Sequence, residues 1–200
     1  MRILHTADWH LGLRLYKKDL MLEHRLFFDW LIETIQIRNI DVLLISGDIF
    51  DQANPTNEAR MMYFSFLREL IKFNCKVIIT GGNHDSPGVL NAPKDILELL
   101  NVHTIGNITE DISQMVIELH HNNQLKAVVC AVPFIREKDI HAFTLDGVFE
   151  NKIEQVRTGI KNIYSTIGDL VKDNYKVPLI AMGHLYAAGA ELSDSEQIGR

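Results

Sequence analysis

Four apolar runs in this chain, Met1–Thr6, Val42–Ser46, Val77–Thr80 and Leu179–Met182, each end in a short polar motif. The motifs are Asp8-Trp9-His10, Gly47-Asp48-Ile49-Phe50-Asp51, Gly82-Asn83-His84-Asp85 and Gly183-His184. Short apolar runs bounded by Gly and Asp read as buried strands. In an open α/β sheet the carboxyl ends of the strands share one rim, and ligands bind along it. The pattern therefore brings Asp8, His10, Asp48, Asn83, His84 and His184 together from almost the whole length of the chain. Carboxylate, imidazole and amide oxygen in one place suit hard-to-intermediate divalent cations, and two of them if one carboxylate bridges.

Helical periodicity separates the early strands. Phe27, Trp30, Leu31 and Ile35 recur at helical spacing and predict an amphipathic face packed on a sheet. Asn57–Phe73 is apolar around much of its circumference, through Met61, Met62, Tyr63, Phe64, Phe66, Leu67, Leu70 and Ile71. Such a helix is covered on more than one side, either within its own domain or by a second subunit. From Val102 the pattern changes to the short runs Val102–Ile105, Met115–Leu119 and Leu125–Val132, with Asn122-Asn123 as a hairpin turn. These predict a second, mixed or antiparallel, set of strands. Ile153, Val156, Ile160, Ile163, Ile167 and Leu170 form a narrow stripe, suited to docking one helix on a sheet. Without repeats or linkers, residues 1–200 read as one α/β domain of layered α/β/β/α type with mixed sheets.

Composition narrows the class. With 46% hydrophobic and 23% charged residues the chain is an ordinary globular one with a large core. Its longest apolar run, Ala127–Ile135, contains Pro133 and is too short for a membrane span, so no membrane association is expected. No secretory signal is expected ahead of the first strand, and Cys75 and Cys130 lie apart without ligand spacing. A cytoplasmic protein with two reduced, buried thiols is expected. A net charge of −6 argues against a broad basic surface, although Arg14, Lys17 and Lys18 gather directly after the first motif. They form either a solvated loop or a phosphate-backbone contact.

The spacing within the motifs is chemically specific. Asp8 and His10, two residues apart, point the same way from an extended segment and are able to serve one ion. Asp48 follows its strand directly, where a carboxylate is able to bridge two metals. Asp51 comes three residues later, with Ile49-Phe50 anchoring the loop between them. Asn83 offers a neutral oxygen, while the adjacent His84 points elsewhere. His5 reads as a near-core residue, and His24, His103, His120, His121 and His141 as surface or turn positions.

The series Asp-x-His, Gly-Asp-x-x-Asp, Gly-Asn-His-Asp and Gly-His resembles the calcineurin-like metallophosphoesterase superfamily. The strings 1–12, 45–51 and 131–136 resemble its branch of bacterial DNA nuclease subunits, and the likeness runs from Met1 to about Gly199. The resemblance implies a metallophosphoesterase sandwich in which Asp8 and His10 bind one metal, Asp48 bridges, and Asn83 with His184 bind the other. His84 would be the catalytic histidine, with Asp51 orienting it. The two ions, best matched by Mn2+ with Zn2+ or Fe as alternatives, would clamp a phosphodiester for in-line attack. The implied function is exonuclease and endonuclease action at DNA ends and hairpins, with an SbcC-type ATPase partner, in repair and recombination. A homodimer through the Met61–Ile71 helix, with Leu22–Ile37 beside it, is also expected.

Two other readings stay open: a phosphoesterase acting on phosphoproteins or small phosphate esters, and a non-catalytic dimerisation or partner-binding module with a metal-stabilised fold. The superfamily also carries a later Gly-His-x-His motif, which does not occur after His184 here. Gly189–Gly199 resembles the approach to it. The chain is therefore expected to be a truncated catalytic domain, without capping or partner-binding regions, with both ions weakly held and slow hydrolysis.

Overall fold

The computed structural model describes residues 1–144 and 147–185. The Gly189–Gly199 segment lies outside the described residues. The apolar runs become β1 (Ile3–Thr6), β4 (Val42–Ser46), β5 (Lys76–Thr80) and β6 (Val102–Ile105), parallel neighbours in that order. Between β1 and β4 come the small ribbon β2 (Arg14–Leu15) and β3 (Lys18–Asp19) and the helix α1 (Met21–Arg38). The helix α2 (Asn57–Leu70) links β4 to β5, and the short helices α3 (Pro87–Asn91) and α4 (Lys94–Leu99) link β5 to β6. Helical crossovers return each strand parallel to the last.

Val102–Ile105 thus joins the first sheet rather than the second set of strands that its sequence suggested. Among the described residues this first sheet is purely parallel, and only the second is mixed. The second sheet pairs β7 (Val116–His121) with β8 (Gln124–Ala131) antiparallel, and β8 with β9 (Leu179–Met182) parallel. The hairpin turn falls on Asn122-Asn123, both in the left-handed region, as a two-residue turn of matching twist requires.

Alternate residues of the central strands face two separate cores. Leu43, Ile45, Val77 and Ile79 meet Phe28, Leu31, Ile35, Tyr63, Phe66 and Leu67 of α1 and α2. Val42, Leu44 and Ile78 meet the second sheet, which α6 (Lys152–Lys172) covers through Ile163, Ile167 and Val171. A shorter helix, α5 (Glu137–Ala142), precedes α6. The layers are therefore α/β/β/α, as expected from the strand and helix patterns.

Helix faces differ in detail from the sequence reading. On α1 the sheet-facing stripe is Phe28, Leu31 and Ile35, so Trp30 is turned out and 55% exposed. On α2, Ala59, Tyr63, Phe66, Leu67 and Leu70 are buried while Met61 is 69% exposed. On α6 the stripe ends at Val171, leaving Ile153 and Leu170 exposed. Cys75 and Cys130 are buried free thiols, and burial pushes both thiols above the usual range. No helix of the described residues is long and apolar enough to cross a membrane.

Candidate metal centre

The four motifs meet at the carboxyl rim of the first sheet and the end of β9. The loop after β1 runs beside the loop after β4 and extends their pairing beyond the strands. Asp8 N–H donates to the Gly47 carbonyl at 3.1 Å, His10 N–H to Asp48 at 2.9 Å and Leu11 N–H to Ile49 at 2.9 Å. Trp9, Leu11, Ile49 and Phe50 are the buried anchors of these loops, Trp9 edge-on to Phe28 at 4.8 Å. Between the anchors, Asp8, His10 and Asp48 adopt positive φ values of 56°, 46° and 49°. Left-handed backbone costs a non-glycine residue about 1–2 kcal/mol. It persists where the surroundings over-determine it, and such sites cluster at function.

Two glycines make the crowding possible. A Cβ on Gly82 would lie 2.0 Å from Asp48 Oδ1, and one on Gly47 would lie 2.3 Å from His184 Nδ1. Gly47 also has a φ of 78°, which no other residue takes without strain.

Asp48 is the centre of the arrangement. It is 3% exposed, and its Oδ2 lies 3.5 Å from both His10 Nε2 and His184 Nε2. Its Oδ1 accepts the His84 backbone N–H at 2.9 Å. Burial raises the carboxyl's pKa, but hydrogen bonds from His184 and His84 N–H and the nearby imidazoles outweigh it, so the net shift is downward. Among the described residues, two groups of ligand atoms share this carboxylate, each within 4.8 Å: His10, Asp48 and His84, and Asp8, Asp48 and His184. Asp8, expected beside His10, thus falls in the group with His184.

Backbone carbonyls orient two of the histidines. His184 Nδ1 donates to the Ser46 carbonyl at 3.0 Å, which leaves Nε2 facing Asn83 Oδ1 at 3.0 Å and Asp48. Burial lowers the affinity of this ring for a proton. Hydrogen bonds to Asp48 and the Ser46 carbonyl, with the charges of Asp48 and Asp8, reverse that and raise its pKa to about 9. His84 Nδ1 donates to the backbone carbonyl of Asp51 at 2.7 Å, so its Nε2 is the nitrogen left available. The Asp51 carboxylate is not the group that orients His84. Its Oδ1 lies 3.5 Å from His10 Nδ1, because the loop turns the side chain towards the first motif.

These residues fit a pair of divalent cations. The donor set is mixed oxygen and nitrogen, and one buried carboxylate is shared. Asp8, Asn83 and His184 also line a cavity of about 240 Å³ together with His5 and Phe134. His5 is exposed and pairs with Ser46 Oγ at 2.9 Å, which corrects its near-core reading. His24 is half-buried on α1 rather than at a surface turn.

Sequence reasoning missed two residues beside the site. The Asp85 carboxylate, 2% exposed, accepts N–H groups from Gly82, Phe50 and Ile49 at 2.8, 3.0 and 3.1 Å. Arg136 Nη2 donates to the carbonyls of Asp85 at 2.8 Å and Gly82 at 3.3 Å. Asp85 was visible as the last member of its motif, whereas nothing near Arg136 in sequence announced its partners.

Residues 1–197 match the calcineurin-like phosphoesterase family. The chain is 36% identical over 203 residues to the SbcD subunit of the nuclease SbcCD of Escherichia coli, a match covering 98% of this chain and 49% of that protein. The proteins of the same name from Rhodobacter capsulatus and Bacillus subtilis are 34% and 31% identical, covering 94% and 98% of this chain and 49% and 50% of theirs. The chain thus spans about half the length of the curated relatives it matches. On the match across its motifs and strands, this chain belongs to the calcineurin-like phosphoesterase family.

Proposed function

We propose that the chain is the catalytic part of an SbcCD-type nuclease, hydrolysing DNA phosphodiesters at ends and hairpins with an SbcC-type ATPase. The observation that carries this reading is the single Asp48 oxygen standing 3.5 Å from two imidazoles, His10 and His184. The name nuclease carried by the similar proteins supports a nucleic-acid substrate. In this reading Asp48 would be the carboxylate shared by two divalent cations, best matched by Mn2+. His10 would hold one, and Asn83 and His184 would hold the other, with Asp8 on the side of His184. When bound, the ions supply Lewis acidity and lower the pKa of water. His84, its Nδ1–H held by the Asp51 carbonyl, would in its doubly protonated form give the Nε2 proton to the departing sugar oxygen as a water oxygen bonds to phosphorus and the ester bond breaks. The ribbon of Arg14, Tyr16, Lys17 and Lys18 follows the first motif directly and presents Tyr16 at 95% exposure, suited to a nucleic-acid backbone.

The test is cleavage in the presence of Mn2+ of duplex-end and hairpin DNA against phosphopeptides and small phosphate monoesters. Cleavage of DNA alone is expected. Preference for phosphopeptides or monoesters, or binding of partners without any hydrolysis, would replace this reading with one of its two alternatives.

Asp51→Asn is expected to weaken Mn2+ uptake about 10–100-fold, the usual effect of losing a group that orients a metal-binding histidine. Turnover at saturating Mn2+ should fall far less, because the carbonyl that holds His84 is untouched. Calorimetry alongside cleavage kinetics separates the two. A large loss of turnover with unchanged Mn2+ affinity would restore the carboxylate as the partner of His84.

The same reading includes a homodimer through the α1 and α2 face. Leu22, Leu26 and Trp30 form an exposed stripe on α1, and Met61 and Phe64 are exposed on α2. Met61→Glu with Phe64→Glu should yield monomers in light scattering without loss of helicity. Phe66 is not usable for this test, since it is 2% exposed and stacked on Phe28 at 4.4 Å in the core. A wild-type chain that is monomeric at high concentration would contradict the dimer.

A further inference from the structure

We propose that Asp85 and Arg136 form a clamp that holds the Asp48 loop against the Asn83–His84 loop, which makes both of them positioning residues of the centre. The inference rests on the two-metal reading above. Gly47 and Asp48 are consecutive left-handed residues, and the N–H groups of Ile49 and Phe50 that follow them turn towards one acceptor. That acceptor is the buried Asp85 carboxylate: Oδ2 takes Ile49 N–H and Gly82 N–H, and Oδ1 takes Phe50 N–H. One side chain therefore ties the residues after Asp48 to the residue before Asn83. No neutral side chain of this shape accepts three N–H bonds through two oxygens. Asparagine would turn an amide N–H towards at least one donor.

Arg136 closes the other side of the same loop. Its guanidinium donates to the Gly82 and Asp85 carbonyls, and Phe134 N–H donates to the Gly81 carbonyl at 2.7 Å. Arg136 is itself held, because its backbone N–H donates to Asp139 Oδ2 at 2.8 Å at the start of α5. Neither Asp85 nor Arg136 belongs to either group of potential metal ligands among the described residues. Both act on the spacing of those groups, where an error of about 1 Å is costly.

The test uses Asp85→Asn and Arg136→Lys, a lysine ammonium ending one bond short of Nη2, the nitrogen that makes both bonds. Hydrogen exchange of the metal-free protein reads the clamp itself. Titration with Mn2+ alone reads its consequence. Both variants should lose protection by about tenfold or more at the amides of Ile49, Phe50 and Gly82, while protection in α1 and β8 stays as in wild type. The apparent Mn2+ dissociation constant should rise about 10–100-fold for Asp85→Asn and by a smaller factor for Arg136→Lys. If Asp85→Asn does not fold, Arg136→Lys alone decides. Wild-type protection at those three amides, a loss spread evenly over the whole chain, or local opening with unchanged Mn2+ affinity would each overturn the clamp. Failure of the wild-type chain to take up Mn2+ would instead defeat the two-metal reading, and the exchange pattern would still decide whether the clamp exists.

Discussion

Asp48→Asn should abolish Mn2+ binding at both positions and reduce hydrolysis by at least about 10⁴-fold, the largest effect expected of any single substitution in this chain. Metal ions contribute several kcal/mol of transition-state stabilisation, and each ~1.4 kcal/mol is a factor of ten in rate. One buried carboxylate is common to both ligand groups, so its charge cannot be lost from one alone. The substitution is close to isosteric. Asparagine retains an oxygen able to accept the His84 backbone N–H that Asp48 Oδ1 accepts at 2.9 Å. Cooperative unfolding of the metal-free variant should therefore persist, which separates loss of the centre from loss of the fold. Two Mn2+ ions bound by a folded Asp48→Asn variant would remove Asp48 from its bridging role.

His84→Gln should do the opposite: leave Mn2+ binding near wild type and slow turnover by about 10²–10⁴-fold, the usual worth of a positioned general acid. The ring has one nitrogen committed to the Asp51 carbonyl at 2.7 Å, so it offers a single directed group to the leaving oxygen. Its ring also meets His10 edge-on at 4.9 Å, and glutamine fills that space without supplying a titratable nitrogen. The distinguishing substrate is a diester whose leaving group needs no proton, such as a nitrophenyl ester, on which the variant should recover most of its rate. An equal deficit on both substrates, or loss of one ion on titration, would show His84 to be a ligand rather than a proton donor.

Much of this centre was legible from the chain because buried strands advertise themselves. Val42–Ser46 falls on β4 residue for residue, since a strand covered on both faces is an unbroken apolar run, and Leu179–Met182 falls on β9 although Leu179 and Ala181 are exposed. The rim rule then brought Asp8, His10, Asp48, Asn83, His84 and His184 to one place without any knowledge of the intervening topology. Sheet membership was less visible. Val102–Ile105 has the same short apolar character as the strands that follow it, and only the crossover through α3 and α4 assigns it to the first sheet. On α1 the expected face holds at Phe27, Leu31 and Ile35 and fails only at Trp30, because an apolar residue at the edge of a stripe has the right spacing without being covered.

The least legible features are those made with the backbone. Left-handed φ at Asp8, His10 and Asp48 leaves only a weak mark in residue type, since Asp and His take it more often than other side chains but far less often than glycine. The Asp85 carboxylate bonds main-chain N–H groups 35 and 36 residues away, and Arg136 bonds carbonyls 51 and 54 residues away. Any residue has those groups, so no pattern of side chains points to them. The same cause moved the partner of His84 from the Asp51 side chain to the Asp51 carbonyl.

The central claim is a pair of cations sharing Asp48. An anomalous-scattering map at the manganese edge, from crystals of the chain grown with Mn2+, tests it most directly. The account predicts two peaks flanking the Asp48 carboxylate, one against His10 and the other against Asn83 and His184. No peak at Asp48, or a single peak held by other residues, would contradict it.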